Sequence, residues 1–242
     1  MRVLVFSDVH ANLVALEAVL ADAEGQYHAA WFLGDLVSYG PDPNECTELV
    51  RSIPKLTAII GNHDVAALNQ IDINTFNVDA QRAIRWTQET LTAETAEYLE
   101  NLPKVVDKLP FLVVHGSPRD PVWEYILDRY IAMQNFDHFH TPYCLVGHTH
   151  TPVIYQRIDK NIFEYPPNYD ADVALDQGRY IINPGSVGQP RDSNPNAAYA
   201  LLDTRTCVWM FKRVPYDIAE TQRRMLKHDM PLRLVARLAY GW

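Results

Sequence analysis

The sequence has few cysteines and no long apolar run. Its three cysteines, Cys46, Cys144 and Cys207, are widely separated and lack the spacing of a zinc cluster. They fit a reducing compartment better than a disulfide framework. No apolar run approaches the roughly 20 residues that cross a bilayer, and the first run meets Asp8 too early for a signal peptide. We therefore expect a cytoplasmic protein without a membrane-spanning segment.

Positive charge is also scarce, since the net charge is −9 at pH 7 and no stretch is rich in lysine or arginine. Such a chain lacks the electrostatic footprint of a protein that binds polymeric nucleic acid or an acidic membrane. The negative net charge is still compatible with a small phosphoester substrate, including a nucleotide, because bound metal ions supply positive charge locally. The sequence does not predict an oligomeric state.

Short apolar runs and helical patterns alternate along the chain. The apolar runs are typical of strands covered on both faces and lie at residues 2–6, 29–33, 56–60, 111–114, 143–146 and 179–183. Helices are predicted at 12–23, 42–52, 77–90, 92–101, 216–227 and 231–240, and further strands at 152–158, 197–203 and 207–214. This order predicts two packed sheets with helices outside them. With no repeat or long linker, we expect one domain over residues 1–242, with the proline-rich 165–178 as a surface excursion.

Polar side chains follow five of the apolar runs. The segments are Ser7-Asp8-Val9-His10, Gly34-Asp35, Gly61-Asn62-His63-Asp64, His115-Gly116 and Gly147-His148-Thr149-His150. Strands of a mainly parallel sheet end at one crevice, so these segments are expected to converge there. The glycines permit close backbone approach and positive φ angles. Carboxylate, amide and imidazole ligands suit Mn, Fe, Zn, Co or Ni, and seven such ligands suit two metal ions that share a bridge better than one tetrahedral site.

Each segment taken alone has an ordinary structural explanation. An Asp-x-His after a strand is usually a turn or a helix cap, and a single histidine such as His115 is more often a core residue. The joint pattern favours a site, because five of the nine histidines lie in these segments. His138 and His140 form another His-x-His pair, but no glycine-punctuated strand end precedes them, so we interpret them as a loop or helix-end pair.

The five blocks DVH, GDLV, GNHD, VHG and GHTH resemble those of the calcineurin-like metallophosphoesterases, and INPGSVGQPRD (182–192) resembles the closing segment of the small bacterial phosphodiesterase branch. The resemblance implies an α+β fold, a four-layer α/β/β/α sandwich of two packed mixed sheets with helices on the outer faces. It also implies a dinuclear metal centre at one edge of the sandwich. Two divalent ions are expected, with Mn or Fe favoured and Zn, Co or Ni allowed.

The resemblance also implies a role for each residue of the blocks. The first metal is expected on Asp8, His10 and His150, the second on Asn62, His115 and His148, with Asp35 bridging the two. His63 is expected to face the scissile phosphate as a catalytic residue, oriented by Asp64. The implied reaction is in-line attack of a bridging hydroxide on phosphorus.

The substrate is less constrained than the reaction. Phosphoprotein phosphatases of this superfamily continue the second block with Asp-Arg-Gly, whose arginine grips phosphate, whereas this chain has Ser38-Tyr39-Gly40. The difference weakens a protein phosphatase or diadenosine tetraphosphatase assignment and favours a phosphodiesterase. The remaining alternatives are a phosphomonoesterase or phosphoprotein phosphatase and a non-catalytic metal-binding scaffold. The scaffold is disfavoured because the complete ligand set is present.

Candidate substrate contacts are Tyr39, Arg119, Trp123 and Arg191. Arg119 or Arg191 is a candidate replacement for the missing arginine, although a solvated charge on a loop is the favoured explanation of each. Trp123 lies near Tyr125 and Tyr130 in the sequence, and the three form either a stacking wall or the packed side of an insertion.

Overall fold

The computed structural model describes residues 1–242 and contains two mixed six-stranded β-sheets. The first sheet comprises β1 (Arg2–Phe6), β2 (Ala29–Phe32), β3 (Leu56–Ala58), β9 (Val173–Ala174), β11 (Ala197–Asp203) and β12 (Val208–Val214). Its strand order is β3-β2-β1-β11-β12-β9, with β1, β2 and β3 parallel and the other neighbours antiparallel.

The second sheet comprises β4 (Val105–Lys108), β5 (Phe111–Val114), β6 (Tyr143–Leu145), β7 (Val153–Ile158), β8 (Asn161–Tyr165) and β10 (Arg179–Asn183). Its strand order is β4-β5-β6-β10-β7-β8. The central strands β5, β6 and β10 are parallel, and antiparallel strands flank them.

The α-helices are α1 (Leu13–Asp22), α2 (Pro43–Ser52), α3 (Asn62–Ala67), α4 (Val78–Thr90), α5 (Ala93–Glu100), α6 (Arg129–Asn135), α7 (Ile218–Lys227) and α8 (Leu232–Arg237), with a 3₁₀ turn at Ile73–Thr75. The side chains of Asn12, Asn77 and Thr92 cap α1, α4 and α5 by accepting backbone N–H bonds. None of the helices is both long and apolar enough to cross a bilayer.

The apolar core is divided into layers by the two sheets. Val5, Leu33, Val113 and Leu145 belong to the cluster between the sheets. A second cluster joins the outer face of the first sheet to α1 and α2, and a third joins the outer face of the second sheet to α6. Burying both faces of each sheet accounts for the near-continuous apolar strands. The predicted α/β/β/α sandwich of two mixed sheets is therefore confirmed.

Several local predictions differ from the structure. The segment 165–178, predicted as a surface excursion, contributes β9 to a sheet edge and buries Leu175. Elements α3, β4, α6 and β8 were not predicted, because they are short and lack a clear apolar period. The last helix is shorter than predicted, and its buried Leu234 and Val235 pack with residues of α4 and α7.

The five polar segments all follow the carboxyl ends of parallel strands, namely β1, β2, β3, β5 and β6. The chain turns sharply there, and the turns place Asp8, His10, Asp35, His148 and His150 at φ angles between 48° and 66°. Of the neighbouring glycines only Gly34 has a positive φ, of 92°. The positive φ angles expected of the glycines are thus adopted mainly by the polar residues themselves, a pattern found at functional sites.

Candidate metal centre

Four side chains from three loops form a first cluster of potential metal ligands. They are Asp8, His10, Asp35 and His150, all buried, with ligand atoms within 4.8 Å of one another. The Nε2 atoms of His10 and His150 are 3.1 Å apart. Asp8 Oδ1 lies 3.4 Å from His150 Nε2, and Asp35 Oδ2 lies 3.6 Å from His10 Nε2. A small volume thus receives two carboxylates and two imidazoles.

A second cluster shares Asp35 with the first and adds His115 and His148. Asp35 Oδ2 is 3.3 Å from His115 Nε2, which in turn is 3.2 Å from His148 Nδ1. The side-chain oxygen of Asn62 lies 3.1 Å from the same His115 nitrogen. The structure therefore brings together the seven predicted ligand residues in two groups joined at Asp35.

The outward-facing nitrogen of each clustered histidine meets a backbone carbonyl. His10 Nδ1 faces Val37 O at 3.2 Å, and His115 Nδ1 faces Leu33 O at 2.8 Å. His150 Nδ1 and His148 Nε2 face the carbonyl oxygens of Gln189 and Trp123 at 2.6 and 3.2 Å. A ring that donates to a carbonyl keeps the lone pair of its other nitrogen inside the cluster, which is the arrangement of histidines that bind metals.

Burial and mutual charge shift the pKa values of the clustered side chains. Burial raises the pKa of the Asp8 carboxyl to about 7. Burial alone would lower the pKa of His115, but the Asp35 carboxylate beside it raises that pKa to about 9. Burial lowers the pKa of His10, His148 and His150 well below the usual range. The imidazoles of His10, His148 and His150 are therefore neutral, whereas that of His115 holds a proton that a cation would displace, and carboxylates with imidazoles are a ligand set for hard or borderline cations.

The oxygen Asp35 Oδ2 is buried and accepts no hydrogen bond. The other carboxylate oxygen, Oδ1, accepts the backbone N–H of His63 at 2.8 Å. A buried carboxylate oxygen without a donor is costly unless a cation satisfies it. This oxygen lies between His10 and His115, one from each cluster.

The predicted pairing of His63 with Asp64 is not what the structure contains. The Asp64 carboxylate accepts backbone N–H bonds from Asp35, Leu36, Val37 and Gly61, at 2.8 to 3.1 Å, and makes no hydrogen bond to the His63 ring. The reason is geometric, because Asp64 lies in the first turn of α3, where its side chain reaches the amides of the adjoining loops. The hydroxyl of Ser38 contacts His63 instead, 3.2 Å from Nδ1.

A cavity of about 610 Å³ opens onto His63. Two of the candidate substrate contacts, Tyr39 and Arg191, line it, and the guanidinium carbon of Arg191 lies 5.9 Å from the Tyr39 ring centre. A larger cavity, of about 700 Å³, lies beside Thr149 but is lined by none of the clustered side chains. Neither cavity is lined by the seven clustered residues, but the smaller one contains His63, whose ring centre lies 5.0 Å from that of His10.

The other two candidate contacts do not line this cavity. Arg119 is held by an ion pair with Glu124 and a hydrogen bond to Gln134. Trp123 supplies its carbonyl oxygen to His148, and its ring packs edge-on against Phe76. The structure thus gives Arg119 an intramolecular partner and Trp123 a positioning contact with a clustered histidine.

Some residues of the site were not found from the sequence. Tyr125 stacks on His148 with ring centres 3.6 Å apart and also lines the cavity. Sequence analysis placed Tyr125 among possible stacking residues but not against a histidine. Arg233, Arg237, Tyr240 and Trp242 line the same cavity. They were missed because the apolar pattern of the last helix indicates a buried face but not which part of the protein covers it.

The fold and the clusters define a class, a four-layer α+β protein with metal-ligand side chains gathered at the carboxyl ends of its parallel strands. The calcineurin-like phosphoesterase superfamily domain matches residues 1–207. The chain therefore belongs to the calcineurin-like phosphoesterase superfamily. The predicted superfamily is confirmed, and membership supports the predicted hydrolase.

Relatives match over different extents of the chain. A protein from Methanocaldococcus jannaschii named only as uncharacterized is 34% identical over 98% of this chain and 97% of its own length. The crystal structure of a metallophosphoesterase from Sphaerobacter thermophilus has 47% identity and a TM-score of 0.91, covering 100% of this chain and 99% of that one. A symmetrical bis(5'-nucleosyl)-tetraphosphatase from Yersinia enterocolitica is 30% identical over 51% of this chain and 44% of its own length.

Proposed function

We propose that this protein is a metal-dependent phosphodiesterase that acts on small phosphoesters, including nucleotides. The single observation that carries the proposal is the position of Asp35. Its buried Oδ2 atom accepts no hydrogen bond and lies within 3.6 Å of one imidazole from each ligand cluster. A shared carboxylate of this kind fits a bridge between two cations.

The side chains present fit two divalent ions. One ion would be held by Asp8, His10 and His150, the other by Asn62, His115 and His148, with Asp35 common to both. Oxygen and imidazole donors without thiolate support Mn or Fe, and also accept Zn, Co or Ni. When bound, two such ions supply Lewis acidity and an acidified water molecule for in-line attack on phosphorus.

His63 acts on the leaving oxygen in this proposal. Burial lowers the pKa of His63 to about 4, so the ligand-free imidazole is neutral at pH 7. When Nδ1 accepts a hydrogen bond from the Ser38 hydroxyl, the ring proton resides on Nε2. The N–H of this neutral ring, which lines the cavity, can stabilise a leaving oxygen by donating a hydrogen bond to it. Ser38 is then the positioning residue for His63, and Asp64 holds the loops that carry Asp35.

The preference for diesters rests on two observations. The position after Ser38 is Tyr39 rather than the arginine that phosphoprotein phosphatases carry there, and a diester bears less charge to be gripped than a monoester dianion. The similarity of half the chain to a protein named bis(5'-nucleosyl)-tetraphosphatase supports nucleotides as substrates. The cytoplasmic location stays a prediction.

The test compares hydrolysis of bis-p-nitrophenyl phosphate with that of p-nitrophenyl phosphate. Metal-stripped protein is reconstituted with Mn²⁺, and Asp35→Asn is assayed beside it. Faster diester cleavage that is absent from the variant is the expected result. Faster monoester cleavage would replace the diesterase with a monoesterase or phosphoprotein phosphatase. Binding of two metals without turnover of either ester would favour the scaffold.

A further inference from the structure

Three arginines line the cavity that opens onto His63, and none of them forms an ion pair. Arg191 lies in the loop after β10, whereas Arg233 and Arg237 lie on α8. The ion pairs of the protein involve other side chains. One carboxylate, that of Asp79, also lines the cavity. Positive charge therefore exceeds negative charge on this wall, although the whole chain carries a net charge of −9.

The hydrogen-bonding capacity of these guanidinium groups is largely unused. Nε of Arg191 is buried and has no partner, and an Nη atom of Arg191 donates to Gln189 at 2.9 Å. Nε of Arg237 donates to the backbone carbonyl of Trp242. Burial, with the nearby charges of Arg191 and Arg233, lowers the pKa of Arg237 to about 10. Guanidinium groups that repel one another and keep free N–H donors are suited to a multiply charged anion.

Aromatic rings continue the same wall. The rings of Tyr240 and Trp242 stack with centres 4.7 Å apart and planes at 22°. Both line the cavity, yet 55% of Tyr240 and 60% of Trp242 is exposed. Exposed flat rings beside an anion site are a surface on which a nucleobase stacks.

We infer that Arg191, Arg233 and Arg237 form a subsite for the phosphate chain of a nucleoside polyphosphate, with Tyr240 and Trp242 against its base. The inference rests on the proposed function, which places the reacting phosphate at His63 and the ligand clusters. The subsite binds the phosphates adjacent to the reacting one. Two of its arginines and both aromatic rings lie outside residues 1–207, the part of the chain that the superfamily domain matches.

The first test measures anion binding without turnover. Inorganic triphosphate and inorganic phosphate are titrated calorimetrically into the full chain in the presence of a chelator. We expect triphosphate to bind at least about tenfold more tightly than phosphate, and Arg237→Gln and Arg233→Ala each to weaken triphosphate binding about tenfold. Arg223→Ala is the matched control, because Arg223 is exposed, pairs with Glu220 on α7 and lies outside the cavity. Equal triphosphate affinity in the wild type and both cavity variants would overturn the subsite.

The nucleoside part is tested with ATP in the same titration. We expect ATP to bind about threefold or more tightly than inorganic triphosphate, and Trp242→Ala to abolish the difference. ATP that binds no more tightly than triphosphate would overturn the assignment of a nucleoside. Arg233 is exposed and α8 packs through Leu234 and Val235, so Arg233→Ala leaves the packing of the helix in place.

The kinetic test separates this inference from the proposed function. With Mn²⁺-loaded enzyme, the ratio of kcat/KM for diadenosine tetraphosphate to that for bis-p-nitrophenyl phosphate should fall about tenfold in Arg237→Gln. Bis-p-nitrophenyl phosphate has a single phosphate and cannot occupy the subsite. If both substrates are cleaved and the ratio in Arg237→Gln equals that of the wild type, the subsite is contradicted while the proposed function stands. If neither substrate is cleaved, the proposed function fails, while the triphosphate titration still decides the subsite.

Discussion

The Nδ1 atom of His63 lies 3.2 Å from the hydroxyl oxygen of Ser38. Ser38 lies in the loop after β2 and His63 in the first turn of α3, and both are buried. When the Ser38 hydroxyl donates to Nδ1, the ring proton of His63 is on Nε2, and Nε2 is then the nitrogen that acts on a substrate.

The first prediction concerns this pair. His63→Ala should lower kcat for bis-p-nitrophenyl phosphate by roughly 10²- to 10⁴-fold, because it removes the N–H donor to the leaving oxygen. Ser38→Ala should lower kcat by about tenfold, and the double variant should be no slower than His63→Ala alone. Metal content by atomic emission should be unchanged throughout. Multiplied losses in the double variant would mean that Ser38 does not act through His63.

Asp64 should behave as a structural residue rather than a catalytic one. Its carboxylate accepts four buried backbone N–H groups, and an amide side chain would turn its NH₂ toward some of them. Asp64→Asn should therefore lower the free energy of unfolding by about 3 kcal/mol, measured in urea. At saturating Mn²⁺ its kcat should fall less than that of His63→Ala. An unchanged stability with a loss of kcat equal to that of His63→Ala would restore the role predicted from the sequence.

The sequence predicts the sheets and the ligand clusters for one shared reason. Buried parallel strands are near-continuous apolar runs, and their carboxyl ends meet at one edge of the sheet. The residues that follow those ends, such as Asp8, Asp35 and His148, can therefore be placed together without knowledge of the loop conformations. The partner of His63 depends on the path of the Ser38 loop, which no local pattern specifies. Arg233 and Arg237 reach the cavity through packing of α8 on α4 and α7, a contact between segments far apart in the sequence.

Gly61 is predicted to be essential because the backbone passes close to Asp35. A Cβ atom at Gly61 would overlap the carboxylate and backbone nitrogen of Asp35. Gly61→Ala should displace that carboxylate and weaken Mn²⁺ binding by at least about tenfold in calorimetric titration.

Gly25→Ala is the control for this substitution. Gly25 has a φ of 72° and no atom within 4 Å of an added Cβ, so its substitution strains only the local backbone. It should cost about 1 kcal/mol of stability and leave Mn²⁺ affinity unchanged. Equal Mn²⁺ affinity in the Gly61 variant and the wild type would contradict the close approach.

Glu124 gives a prediction about pH. Partial burial would raise its pKa, but Arg119, Ser117 and Asn135 donate to the carboxylate and lower the pKa to about 2 from its ordinary value of 4.5. The ionised form is therefore favoured by folding, so its contribution to stability is present above pH 4.5 and is lost as the pH falls toward 2. The gap in unfolding free energy between wild type and Glu124→Gln should narrow over that window.

Glu48→Gln controls for removal of a carboxylate, since Glu48 is exposed on α2 and forms no ion pair. Its difference from the wild type should stay small at each pH. A gap for Glu124→Gln that widens on acidification would have the wrong sign for a lowered pKa. Glu124 accepts hydrogen bonds from both Ser117 and Asn135. It therefore also stabilises the segment that holds Tyr125 against His148.

Removal of metal should lower the thermal stability of the protein. Asp8 and Asp35 are fully buried, and Asp35 Oδ2 has no hydrogen-bond partner, so a cation that binds the folded state supplies the partner that this oxygen lacks. Binding to the folded state alone stabilises it by RT ln(1 + [L]/Kd), about 2.7 kcal/mol at a hundredfold excess over Kd. For a domain of this size that is a rise in Tm of roughly 5 to 11 °C.

Differential scanning fluorimetry of chelated protein, with and without added Mn²⁺, measures the rise. Asp35→Asn removes the shared carboxylate and should abolish most of it. An equal rise in the variant would place the stabilising cation elsewhere and leave Asp35 outside the metal centre.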